Sequence, residues 1–242
     1  TSVEDNKENL DPFYFASLLA AYPEGWLRRQ ELYGEFVDQG GVLGNREWFD
    51  GMIVPAPPEE YSGRIRFWDL AASERKIVAG KKINDPDETV GTLMSWRKSG
   101  PEYYIEDQVA GCWAWDDLKR EIMTTAWKDG PMVRQIFEEE PGSGGKNQVA
   151  ELTQVLLEAC PGYPMAMGWR PEGDKVMRAN VWFAEAAQKK IYLVSGEWNG
   201  KFLDQLSSFP IARHDDRIDS VSGARFNLAP IRTWRQTKFL HL

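Results

Sequence analysis

The chain has 242 residues, of which 42% are hydrophobic and 12% aromatic, enough apolar material for one large domain with a substantial core. Its two cysteines, Cys112 and Cys160, argue against a disulfide framework or a Cys-rich metal site, and its two histidines argue against a His-rich one. No apolar run approaches the roughly 18 residues that span a bilayer, and no secretory leader is visible, so we expect no membrane contact and a reducing cytoplasm.

The net charge of −8 is distributed unevenly along the chain. Residues 1–60 contain 12 of the 37 acidic and 4 of the 29 basic side chains, which leaves 25 of each in the rest. After Asp219 there are bases but no acids: Arg225, Arg232, Arg235 and Lys238. The overall acidity therefore does not exclude a polyanionic substrate.

Residues 1–60 are predicted to form a helical N-terminal arm that packs on the core. Asp11 as N-cap and Pro12 at the first helical position predict a helix that ends near Tyr22. A second apolar segment covers residues 26–37, and the proline-rich residues 55–58 form a linker. The predicted core domain then covers residues 61–242, with a basic C-terminal tail.

Hydrophobic periodicity predicts a mixed α/β sheet in the core. Strands are predicted at residues 65–69, 88–98, 103–109, 132–137, 164–169 and 190–194. Helices are predicted at residues 115–126, 145–159, 176–187 and 198–206, and a last helix opens at Asp215.

Acidic residues stand at the ends of three of these elements. Asp69 ends the first strand, residues 138–140 (Glu-Glu-Glu) end the fourth, and Asp215 and Asp216 open the last helix. A single carboxylate at a strand end is often only a turn former or a helix cap. Carboxylates that converge from three elements repel one another unless cations lie between them. The pattern therefore predicts Mg²⁺ or Mn²⁺, and two such ions roughly 3.5–4 Å apart would hydrolyse a phosphodiester.

Five motifs, in this order over nearly all of residues 60–230, resemble the nuclease domain of the large terminase subunit of tailed bacteriophages. They are FWDLAAS at residues 67–73, DPDETVG at 85–91, EEEPGSGGK at 138–146, GDKVMRA at 173–179 and HDDRID at 214–219. Residues 1–60 also resemble the segment that joins this nuclease to the packaging ATPase.

The resemblance implies a ribonuclease H-like fold and a two-metal endonuclease that cleaves concatemeric viral double-stranded DNA during genome packaging. It implies that Asp69, Glu138 and Asp216 are catalytic and bind Mg²⁺ or Mn²⁺, two per site. Where the family has one acid, this chain has several. Glu139 therefore remains an alternative ligand to Glu138, and Asp215 remains one beside Asp216.

Three basic residues are expected to contact DNA phosphates: Lys146 after the glycine-rich turn, and Lys175 and Arg178 at a helix start. The alternative for these bases is a solvated surface. Asp219, four residues after Asp215, could join the site, but an exposed helix acid or a partner of Arg217 is the preferred interpretation.

His214 is interpreted as a structural or outer residue of the site, and Asp87 as a loop residue with a position near the metals as the lesser alternative.

No GxxxxGK[ST] phosphate loop occurs, so we expect the packaging ATPase N-terminal to Thr1. The resemblance also implies the small terminase subunit and the portal as partners, in the cytoplasm of the infected bacterial host. Two alternatives stay open: a non-catalytic DNA-binding or docking module, and an integrase- or transposase-like strand-transfer enzyme of the same fold. Mn²⁺-dependent plasmid nicking that disappears in Asp69→Ala would exclude the non-catalytic module.

Overall fold

The computed structural model describes residues 41–71 and 86–228, together with the backbone of residues 77–78 and 81–82. The predicted helices of residues 10–37 and the basic tail after Leu228 lie outside the described residues. Within the described ranges, none of the helices combines the length and the apolar character that a bilayer span requires.

The strands of the described part are β1 Ile53–Val54, β2 Tyr61–Asp69, β3 Ile77–Val78, β4 Lys81–Lys82, β5 Thr89–Arg97, β6 Tyr103–Gly111, β7 Arg134–Glu138, β8 Met167–Trp169 and β9 Ile191–Val194. Seven of them form one mixed sheet in the order β1-β9-β6-β5-β2-β7-β8. The central strands β2, β5 and β6 pair antiparallel, and the outer strands join in parallel. The two remaining short strands, β3 and β4, pair with each other in a separate antiparallel sheet.

Five α-helices of the described part flank this sheet, so the expected α/β class is confirmed. The helices are α1 Trp115–Asp129, α2 Ser143–Ala159, α3 Lys175–Ala187, α4 Asn199–Leu206 and α5 Asp216–Asn227. A 3-10 helix at Arg46–Phe49 precedes β1, and its Phe49 joins the core. Because β1 pairs with β9, residues 53–54 supply an edge strand of the sheet.

Side-chain alternation along β2 divides the core into two layers. Phe67 faces one side, where α3, α4 and α5 pack over it, and Trp68 faces the other side with Phe137, under α1 and α2. The rings of Phe67 and Trp68 are both fully buried. The strand is therefore central to both layers, and its last residue lies where they end.

Helix α5 lies unusually close to β2 at one point. A Cβ at Gly223 would overlap the ring of Phe67, so only glycine allows this approach. One helical turn earlier, the Ser220 hydroxyl lies 3.0 Å from the carbonyl oxygen of Val90 and 2.8 Å from the hydroxyl oxygen of Thr92. These contacts fix the first turn of α5 against the ends of β2 and β5.

Candidate metal centre

Asp69 and Glu138 end two neighbouring parallel strands. Trp68 of β2 and Phe137 of β7 are register partners, and the next residue in each strand is the carboxylate. Because side chains alternate along a strand, both acids point to the face opposite Trp68, which is the face that α5 covers. The strand pairing therefore places these two carboxylates side by side under the start of α5.

Glu139 is directed elsewhere. Its backbone N–H donates to the carbonyl oxygen of Trp169 at 2.8 Å, and its Oε1 lies 2.7 Å from Nη2 of Arg170. The next acid, Glu140, is exposed. The structure brings Glu138, and not Glu139, beside Asp69, so metal binding by Glu139 stays a prediction that this geometry does not support.

The acids at the start of α5 lie near Asp69 and Glu138, on the face of the sheet that this helix covers. Asp215 is the N-cap and Asp216 the first helical residue, as expected. Asp219, one turn further, also faces the group: its charge raises the pKa of Asp69, and its own pKa is raised by burial, by Asp215 and by Glu138. A helix N-terminus favours carboxylates, which partly offsets their mutual repulsion.

Asp219 lies among these acids, although the preferred sequence interpretation made it an exposed helix acid or a partner of Arg217. It is half-buried, and its Oδ1 is buried without a hydrogen-bond partner among the described residues. Arg217 does not pair with it, because the Arg217 Nη2 lies 3.0 Å from Oε2 of Glu88. The i, i+4 spacing from Asp215 was the available signal.

Burial and mutual repulsion raise the pKa values of several acids in this group. Burial, followed by the charges of Glu138, Asp219, Asp216 and Asp215, raises the pKa of Asp69 well above its usual range. Burial also raises the pKa of Glu138, and burial together with the charge of Asp215 raises the pKa of Asp219 to about 7. Such perturbed groups cluster at functional sites more often than elsewhere.

Asp216 lies at the border of this group. Its Oδ2 accepts a hydrogen bond from the backbone N–H of Glu88 at 3.0 Å, and it lies 3.9 Å from Nδ1 of His214. His214 Nδ1 is also 3.1 Å from Oδ1 of Asp87. The candidate ligand atoms of Asp87, His214 and Asp216 all lie within 4.8 Å of one another, so His214 and Asp87 flank the acids more closely than the sequence suggested.

The three predicted DNA-contacting bases occupy different positions. Lys175, the first residue of α3, forms an ion pair with Asp215 Oδ2. Arg178, one turn later, donates to the carbonyl oxygen of Gly173 at 3.0 Å and lowers the pKa of the nearby acids. Lys146 is exposed in the first turn of α2.

The donor set fits a hard divalent cation. Asp69, Glu138, Asp215, Asp216 and Asp219 supply only carboxylate oxygens, the donors that Mg²⁺ and Mn²⁺ prefer. The unpartnered Oδ1 of Asp219 is a buried acceptor that a cation would satisfy. These five residues could therefore hold the ions that the sequence predicts.

No family model and no curated protein matches this sequence, but solved structures do. The large terminase of a thermophilic bacteriophage matches with a TM-score of 0.60 and 13% identity, over 94% of this chain and 53% of that chain. The human cytomegalovirus terminase nuclease domain, in a manganese-soaked, inhibitor-bound structure, matches with a TM-score of 0.54 and 12% identity, over 77% of this chain and 93% of that chain. A further structure of that domain gives a TM-score of 0.52 at 12% identity, over 77% and 94% of the two chains.

The chain thus spans about half of the thermophilic phage's large terminase and almost the whole cytomegalovirus nuclease domain. At 12–13% identity these likenesses concern the fold, and they agree with the resemblance that the sequence motifs carry. The chain has the α/β, ribonuclease H-like fold of the nuclease domains of large terminases.

Proposed function

We propose that this chain is a metal-dependent endonuclease that cleaves double-stranded DNA by two-metal-ion phosphodiester hydrolysis. One observation carries the proposal: Asp69 and Glu138 end paired strands on the face that α5 covers, and Asp215, Asp216 and Asp219 lie at the start of that helix. Carboxylates gathered in this way repel one another unless cations lie between them. The likeness to terminase nuclease domains of a phage and a herpesvirus supports the same activity.

The five carboxylates have distinct parts in this proposal. Asp69 is the central ligand, since every other acid of the group acts on it. Glu138 lies on its β7 side, and Asp215 and Asp219 lie on its α5 side. Asp216 holds the Glu88 backbone through its hydrogen bond and completes the group. When bound, two divalent ions would activate a water molecule and stabilise the leaving oxygen.

The protein's own residues position the reacting strand. Lys175 and Arg178 bring positive charge beside the acids, and they and the exposed Lys146 are the proposed contacts to DNA phosphates. Replacing the exposed Lys146 by alanine should weaken DNA binding and reduce its salt dependence by about one counterion. An unchanged salt slope would exclude Lys146 from the DNA interface.

Within this proposal, the biological reaction is the cutting of concatemeric viral DNA during genome packaging, in the cytoplasm of the infected bacterium. Residues 1–60 would link the nuclease, residues 61–242, to a packaging ATPase. The large terminase of the thermophilic phage is about twice as long as its matched region, which leaves room for such a domain. The small terminase subunit and the portal are the further proposed partners.

The test is Mn²⁺-dependent nicking of supercoiled plasmid. We expect cleavage by the wild-type chain and a loss of at least about a hundredfold in Asp69→Asn and in Asp219→Asn, because each removes a charge that binds metal. Asp50→Asn, an exposed acid after the 3-10 helix, is the matched control and should cleave normally. Intact plasmid with folded wild-type protein would contradict the proposal and favour a docking module. Joined rather than nicked products would favour strand transfer.

A further inference from the structure

A cation of the protein itself, the ammonium group of Lys175, lies among the acids of the candidate site. Lys175 Nζ forms an ion pair with Oδ2 of Asp215, a carboxylate that is largely buried, while the lysine side chain is 44% exposed. The carboxylates of Asp215, Asp219 and Asp174 all attract this ammonium. One positive charge thus already lies where the acids converge, and it comes from the protein.

The local backbone holds this lysine in place. Asp174 is the N-cap of α3, and its side chain accepts a hydrogen bond from the N–H of Val176 at 2.8 Å, so the helix starts firmly at Lys175. Arg178 follows at i+3 and lies on the same side of α3. Asp215 in turn uses its side chain for this ion pair and not to cap α5.

We propose that Lys175 is an internal counter-ion of these acids, which a divalent ion would displace from Asp215 and which would then become available to a DNA phosphate. The inference rests on the proposed function and extends it, because it couples metal loading to substrate binding. The physical reason is repulsion: a divalent ion bound to Asp215 would lie within a few ångströms of the Lys175 ammonium, and two cations at that distance disfavour each other. Lys175 therefore lowers metal affinity until DNA is present, and acts as a positioning residue.

The first test is Mn²⁺ affinity, measured by calorimetry on the whole chain without DNA. We expect Lys175→Met to bind Mn²⁺ about three- to fivefold more tightly than the wild type, the upper part of the range that a partly exposed ion pair supports. Lys128→Met is the matched control, since it removes the same charge from an exposed position in the last turn of α1. This control should stay within about twofold of the wild type.

The second test uses the wild-type protein and does not depend on the folding of a variant. Acetylation of individual lysines is followed by mass spectrometry with and without Mg²⁺. Lys175 should react faster when Mg²⁺ is present, because its ammonium is released from Asp215, whereas the rate at Lys128 should not change. An unchanged rate at Lys175 under saturating Mg²⁺ would contradict the proposal.

The outcomes separate the two proposals. Mn²⁺ binding by the wild type that is lost in Asp219→Asn would show that the acids bind the ion. If Lys175→Met then binds Mn²⁺ no more tightly than Lys128→Met, the counter-ion proposal is wrong and the nuclease proposal stands. Weaker binding by Lys175→Met would likewise overturn it, because the lysine would then orient Asp215 for the metal. A wild type that neither binds Mn²⁺ nor cuts DNA would overturn both.

Discussion

Arg66 and Asp69 lie three residues apart on β2 and have opposite electrostatic environments. Arg66 is 2% exposed, and its guanidinium donates to Asp129 from Nε at 2.6 Å and from Nη2 at 2.7 Å. Nη2 also donates to Asp107 at 2.9 Å, and Nη1 donates to the carbonyl oxygen of Gly91 at 2.8 Å. The positive charge of Arg66 is therefore balanced by nearby carboxylates. Asp69 instead faces four like charges.

The two residues contrast a charge that stabilises the fold with one that is proposed to bind metal. Arg66 points to the layer of α1, where its buried cation and the acids around it connect β2 to α1 and β6. Asp69 points to the layer of α5, where repulsion among the acids lowers stability unless a cation offsets it. The two faces of one strand therefore differ in whether their charges stabilise the fold.

The largest effect on stability is expected from removing the buried positive charge of Arg66. Arg66→Met should lower the free energy of unfolding by about 3–5 kcal/mol, because the side chain of Asp129, only 3% exposed, would be left buried without its partner. Urea denaturation measures this, with Arg120→Met, an exposed residue of α1, as a control expected to change by less than about 0.5 kcal/mol. A loss of less than about 1 kcal/mol for Arg66→Met would show that the network is not structural.

The raised pKa of Asp219 predicts that the protein becomes less stable as pH rises from about 4 to about 7 in buffer without metal ions. The pKa of Asp219 is raised to about 7, so the folded chain keeps this proton while the unfolded chain loses it near pH 4. Between these values the unfolded state binds fewer protons, and stability falls as pH rises from about 4 to about 7. Asp219→Asn should remove about 2 kcal/mol of this fall, measured as the difference between urea titrations at about pH 5 and about pH 7.5 in EDTA. Parallel pH profiles for wild type and Asp219→Asn would contradict this.

A smaller change, a gain in stability, is expected from neutralising Asp69, the proposed central ligand. In metal-free buffer at about pH 7.5, Asp69→Asn should raise the free energy of unfolding by about 1 kcal/mol, because it relieves repulsion among Asp69, Glu138 and Asp219. Differential scanning calorimetry measures the shift, and Asp50→Asn should show none. A destabilised Asp69→Asn would mean that the carboxylate is held by stabilising contacts instead.

The smallest effect is expected for Glu139, and it distinguishes the two neighbouring glutamates. Glu139→Gln removes a partly exposed ion pair to Arg170, worth less than about 1 kcal/mol, and should change plasmid nicking by less than about twofold. Glu138→Gln should reduce nicking by at least about a hundredfold. Equal losses in both variants would show that Glu139 also reaches the metal.

Much of the fold could be predicted because its strong signals are local. The apolar runs that form β2 and β5, and the helical spacing of Leu118, Ile122 and Ala126 in α1, indicated the elements to within a few residues. Asp69, Glu138 and Asp216 were predicted as ligands because each lies where a predicted element starts or ends, and the family resemblance favoured Glu138 over Glu139.

The missed features depend on contacts between distant segments. Strand β1 has two residues and exists through its pairing with β9, about 140 positions later, so no periodicity reveals it. The part of Asp219 in the site depends on how closely α5 packs on β2, which Gly223 decides. Likewise, Lys175 contacts Asp215 only because α3 and α5 pack together.

The parallel pairing of β2 with β7 makes strand length a hidden determinant of the site. Inserting one residue within β7 would move every later position to the opposite side of the sheet, so that Phe137 would take the position of Glu138. Point changes around the acids can be absorbed by repacking, whereas a single insertion in this strand could not. The spacing from Arg134 to Glu138 should therefore vary less among functional relatives than the identity of the residues between them.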